Sequence, residues 1–190
     1  YKPECNGIDG VIEASQHALR NVSLYGPTHF SPIIEKVNSR CEATEVSAYH
    51  QEYHILLILT DGIINDMQQT IDEIVRGSNS PLSIVIVGVG EADFESMDVL
   101  DGDDEPLYSK KYKKQCSRDI VQFVPFKDFK SDSYKLAKET LKEIPGQLVD
   151  FFKKKNIFPK PSKEEERQRI ANQLSMKSKD DPNKQLDFYT

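Results

Sequence analysis

The sequence predicts an α/β fold, a three-layer arrangement around a doubly wound, mostly parallel sheet. Two observations carry this. Residues 54–60 (HILLILT) and 82–90 (LSIVIVGVG) are nearly unbroken apolar runs rich in branched side chains, the pattern of strands buried on both faces. The segments around them place apolar residues at helical spacing, so consecutive strands are joined by crossovers and run parallel. In such sheets ligands bind beyond the carboxyl ends of the strands.

Each element follows from its own pattern. Residues 8–22 repeat Ile8, Val11, Ile12, Ala18, Leu19 and Val22 at the spacing of an amphipathic helix. Gly26-Pro27 marks a loop. Ile33, Ile34 and Val37 mark a second helix, and the polar residues 39–52 read as a loop. Asp61-Gly62 ends the first strand. Met67, Ile71, Ile74 and Val75 then mark a helix stopping near Gly77, and residues 119–125 (DIVQFVP) a third, shorter strand. Helical spacing returns over 134–155, where Pro145 and Gly146 should kink or divide the helix, because proline lacks an amide hydrogen and clashes with the preceding turn. From 159 to 190 the prolines and the run KEEERQR predict a charged, flexible tail. Ser162 and Glu165 could cap one exposed helix there, with Ile170 and Leu174 as a thin apolar edge.

Composition narrows the function. The net charge of −6 argues against nucleic-acid binding, which needs a basic face to displace phosphate counterions. Cys5, Cys41 and Cys116 are scattered and odd in number, which points to reduced thiols rather than a disulfide framework or zinc site. No apolar run is long enough to span a bilayer, no signal peptide opens the chain, and the start at Tyr1 is expected to lie inside a longer polypeptide.

Asp61 ends a buried strand where this fold places its ligand. It serves either as a hard-cation ligand or as a cap of the next turn. Thr28, in a Gly-Pro-Thr loop before a helix, has the same two readings. The acidic stretch Asp98, Asp101, Asp103, Asp104 and Glu105 does not follow the EF-hand order and reads as a solvated loop. Gly88-Val89-Gly90 has Asp93 where a dinucleotide turn needs its third glycine, and reads as a tight exit from a strand. His17, His29, His50 and His54 show no metal-ligand spacing, and there is no GxSxG elbow. Lys110, Lys111, Lys113 and Lys114 form a basic loop, either solvated or in contact with anionic lipid.

LYGPTHFSPII at 24–34, LLILTDG at 56–62, PLSIVIVGVGEADF at 81–94, LDGDDE at 100–105 and RDIVQFVPF at 118–126, in this order, resemble the copine family over residues 5–158. The resemblance implies a von Willebrand factor A-like, Rossmann-like domain over residues 1–158. It implies a metal-ion-dependent adhesion site in which Thr28 is the second-loop and Asp61 the third-loop ligand of magnesium, manganese or calcium, with Gly26, Pro27 and Gly62 shaping the loops. The D-x-[ST]-x-S first loop of such sites is absent here. By resemblance it would lie before Tyr1 with the first strands, so the fold is expected to be incomplete at its amino-terminal half and the isolated chain poorly soluble.

The implied function is non-enzymatic. The cation accepts a carboxylate from an intracellular partner with an acidic side chain or segment. The alternatives are a metal-independent, cargo-recruiting scaffold or a metal-dependent hydrolase built on Asp61. A RING-type ubiquitin ligase, found among plant relatives, needs a Cys/His cluster that is missing. The resemblance further implies a cytoplasmic parent protein recruited to the plasma membrane by calcium through amino-terminal lipid-binding domains.

Overall fold

Every residue of Leu82–Gly88 is buried, and the fold is built outward from this strand. A computed structural model of the chain describes residues 4–23, 25–102, 105–160 and 163–179. In chain order its elements are α1 (Gly7–Asn21), α2 (Ser31–Glu42), β1 (His54–Thr60), α3 (Met67–Gly77), β2 (Leu82–Gly88), α4 (Glu95–Asp101), β3 (Tyr108–Ser109), β4 (Lys114–Gln115), β5 (Val121–Pro125), a 3-10 turn (Phe126–Phe129), α5 (Ser133–Leu141), α6 (Ile144–Lys154) and α7 (Lys163–Lys179). The strand order β1-β2-β5 is parallel throughout, as the crossovers require. Thr60 pairs with Gly88 and Gly88 with Pro125, so the three carboxyl ends lie side by side.

The sheet is covered on both faces. Ile84 and Ile86 of β2 pack with Ile34 of α2, Ile74 and Val75 of α3, and Met97 and Leu100 of α4. Val85 and Val87 point the other way, against Ile144 of α6 and Phe126. The predicted division of the last long helix occurs. Pro145 falls in the first turn of α6, where its missing amide hydrogen breaks no helical bond.

Three expectations need correction. The first is that α2 continues through residues 39–42, which read as loop. Ile34, Asn38 and Cys41 form its buried stripe, and the polar Asn38 hides that period in the sequence. Asn38 is buried because its amide donates to the main-chain oxygen and the carboxylate of Glu73. The second concerns the basic loop: Lys110, Lys111 and Lys113 lie in an exposed turn as expected, but the turn joins a β3–β4 antiparallel hairpin and Lys114 belongs to β4. The third is β1, which is not buried on both faces: Ile55, Leu57 and Leu59 are 54%, 54% and 68% exposed. The helices on that side contact β2 and β5. An apolar run cannot itself report which of its faces is covered.

The bare row on an edge strand is an association hazard. The chain is therefore expected to self-associate with rising concentration in sedimentation velocity. Joint Leu57→Lys and Leu59→Glu replacement should suppress this with an unchanged circular dichroism spectrum. Association that persists in the double variant would clear the row of responsibility.

The helix α1 has the predicted amphipathic pattern, but none of its residues is buried. The helix α7 occupies part of the predicted tail, with residues 163–173 exposed. Ser162 and residues 180–190 lie outside the described residues, as does the side chain of Leu174. Among the described residues no helix is long and apolar enough to cross a membrane.

Candidate functional site

Two loops meet at the carboxyl end of β1. The first, before α2, carries Thr28, and the second, after β1, carries Asp61. Asn65 of the second loop clamps the first. Its side-chain oxygen accepts from the Thr28 amide at 2.9 Å, and its own amide donates to the Thr28 carbonyl at 2.9 Å. The next residue, Asp66, reaches across to α2 and accepts from the Phe30 and Ser31 amides at 3.0 and 2.9 Å and from the Thr70 hydroxyl at 3.2 Å. Burial raises the Asp66 pKa, but the hydrogen bonds from Ser31, Phe30 and Thr70 outweigh it and hold the carboxyl below its usual range.

The leading amides of α2 are thus satisfied by Asp66, not by Thr28. Capping does not explain Thr28. Both Thr28 and Asp61 are exposed, and among the described residues neither side chain has a hydrogen-bond or ion-pair partner. Hydroxyl and carboxylate are hard oxygen donors, correct in kind for magnesium, manganese or calcium. In number they fall short, since such ions take six or more ligands. Among the described residues no group of three His, Cys, Asp or Glu side chains is placed to hold a metal.

The neighbouring strand end contributes shape. A Cβ on Gly88 would stand 2.9–3.1 Å from the Phe94 ring, so the absence of a side chain lets that ring close over the end of β2. Gly90 turns the chain at φ +107°. The Gly88-Val89-Gly90 segment is therefore a strand exit, as its spacing suggested. Asp93 binds the Glu95 amide at 3.0 Å at the start of α4.

The remaining candidates are dispersed. Asp98 lies exposed on α4, and Asp101 accepts the Phe123 amide at 2.9 Å, tying α4 to β5. Asp103 and Asp104 lie outside the described residues. His50 and His54 lie 3.4 and 3.3 Å from the two carboxylate oxygens of Glu52. All three cysteines are free, and burial pushes the Cys41 thiol up to about 11.

The sequence reading overlooked Asn65, Asp66 and Arg118. Asn-Asp directly before an apolar helical pattern is a helix-start signal, but nothing local shows that these side chains serve the preceding helix. Arg118, at the entrance to β5, donates to the Ser80 and Leu82 carbonyls at 2.6 and 2.7 Å and to Tyr53 and the Gln147 carbonyl at 3.3 and 3.4 Å. Its guanidinium also stands 5.4 Å from the centre of the Phe151 ring. Compared with protein-family models, residues 1–160 match the one described as Copine.

Proposed function

We propose, from the premise that the chain belongs to the copine family, that it is a protein-interaction module whose partner binding is assisted by a divalent cation. Thr28 and Asp61 supply two of the oxygens, and water and a carboxylate of the partner complete the shell. The family is generally one of non-catalytic binding proteins. The observation that carries the cation reading is the pair of clamped, exposed loops presenting unengaged hard oxygens at the carboxyl end of a parallel strand. Clamping matters because a site assembled from drifting loops loses affinity to the entropy of ordering them.

In this reading no bond is made or broken, and the hydrolase alternative finds little to work with. The adjacent end of β2 offers Gly88 and Gly90, and the carboxylates that follow are engaged, Glu91 with Lys130 and Asp93 with the Glu95 amide. The parent protein is read as cytoplasmic, moving to the plasma membrane with calcium through the lipid-binding domains that copines carry.

Titration calorimetry with magnesium and manganese tests the cation. Two protein ligands predict weak binding, with Kd on the order of 1 mM. Asp61→Ala should weaken it by at least about tenfold, as expected for removal of the only charged ligand. Asp61 is exposed, so the fold should be unaffected. Manganese binding unchanged in the variant, or none in the parent, would leave a scaffold that recruits cargo without metal.

A further inference from the structure

A second surface lies at the opposite, amino-terminal end of the strands. There the ends of α2, α3 and α6 and the strand β4 enclose a cleft of about 390 Å³. Val46 gives it apolar surface, the buried Phe151 forms its floor, and Lys114 and Lys155 give it positive charge, the Lys155 ammonium standing 6.0 Å from the centre of the Phe151 ring. Arg76 and Glu42 also line it, but they bind each other at 2.6 Å, and Arg76 binds Glu73 at 3.1 Å as well. Lys110, Lys111 and Lys113 of the hairpin and Lys153 and Lys154 of α6, neighbours of these groups in the chain, are exposed, and Lys111 is paired with Glu73. The Lys154 ammonium donates to the Ser117 carbonyl at 2.7 Å, joining the end of α6 to the segment that leaves the hairpin. This concentration of cations stands in a chain of net charge −6.

The hairpin is mounted firmly. Asp72 and Glu73 of α3 are 7% and 5% exposed. Asp72 accepts from the Ser109 hydroxyl at 2.6 Å and the Lys111 amide at 3.3 Å, and Glu73 pairs with the Lys111 ammonium at 3.3 Å. Burying carboxylates is costly unless they are fully bonded, and here that bonding fixes where the lysines stand. Lys113 holds φ +51°, an uncommon conformation for a side chain of this kind. Some of the charge has a structural use, since cations in the last turn of α6 suit the helix dipole. Lys113 and Lys114 lie on no helix. Among the described residues neither Lys114 nor Lys155 has a carboxylate within ion-pair distance.

We propose that this cleft binds an acidic peptide segment of a partner protein without any metal. A carboxylate of the segment pairs with Lys114 and Lys155, and an apolar side chain lies against Val46. Concavity favours a peptide over a bilayer, whose flat surface would meet only the rim. The inference does not depend on the cation reading and concerns the other end of the strands.

Fluorescence polarisation of a short Asp/Glu-rich peptide carrying one leucine tests it, using the full chain in EDTA at low salt. Saturable binding is expected, weakening as salt rises. A peptide with Asn and Gln in place of Asp and Glu should not bind. Joint Lys114→Glu and Lys155→Glu replacement should weaken binding at least about tenfold. Joint Lys36→Glu and Lys138→Glu replacement, an equal charge change on exposed positions of α2 and α5, should change it less than about twofold. Circular dichroism of each variant guards against unfolding. Absence of binding to the parent, or equal losses in the two double variants, overturns the proposal. So does sedimentation with phosphatidylserine vesicles in EDTA that depends on Lys114 and Lys155 while the peptide is ignored.

Discussion

Replacing Arg118 by alanine is expected to lower the unfolding free energy by about 3 kcal/mol. The guanidinium donates to three carbonyl oxygens and the Tyr53 hydroxyl, and packs over Phe151. Its partners belong to separate parts of the chain. Ser80 and Leu82 lead into β2, Tyr53 precedes β1, and Gln147 lies on α6. Alanine removes these charged donations and opens space beside the ring, two independent losses, although the Ser80 and Leu82 carbonyls keep the Leu82 amide and the Tyr53 hydroxyl as donors. Lysine should recover less than half, since a single ammonium cannot reproduce the planar fork that serves several carbonyls. Urea unfolding followed by circular dichroism would read the change as a shifted midpoint at unchanged slope. A loss below about 1 kcal/mol, the net worth of a single ordinary hydrogen bond, would mean that Arg118 pins nothing.

Asp66→Ala should cost about 2–4 kcal/mol at neutral pH, because two main-chain amides at the start of α2 lose their acceptor. The loss should depend on pH in a definite direction. The folded-state pKa of Asp66 lies below its ordinary value. Its ionised form therefore contributes stability that is fully present above the unfolded pKa of about 4 and is lost as pH falls through the lower folded value. The gap between parent and variant should narrow from pH 7 toward pH 3. Asp72, whose carboxyl is also held low, remains in both proteins and cancels in the comparison. A gap of the same size at both pH values would show that the charge of Asp66 plays no part.

The legibility of this chain in its sequence follows physical lines. The strand β2 was plain because both its faces are covered, so its unbroken apolar run and its burial coincide. The strand β1 carries a similar run, yet its exposed row depends on helices that do not reach it. The hairpin left no signal, since strands of two residues cannot display a period. In the candidate site Thr28 and Asp61 could be picked out from chain position. Asn65 could not, because its hydrogen-bond partner lies 37 residues away in sequence. Arg118 was hidden for a related reason: a charge at a strand entrance looks solvated until the carbonyls that it serves are placed around it. Family resemblance implied roles for Thr28 and Asp61, and the fold shows only that Asn65 clamps the loop that carries Thr28.

The double duty of Asp66 has a consequence for how the molecule opens. Its carbonyl accepts the Thr70 amide at 2.8 Å in the first turn of α3, while its carboxylate holds the first amides of α2. Neither helix start can fray without disturbing the other. Local unfolding of α2 and α3 is therefore a single cooperative event, with one opening free energy shared by both helices. Because Asn65 binds Thr28 from the adjoining position, the loop before α2 belongs to the same unit and inherits its lifetime.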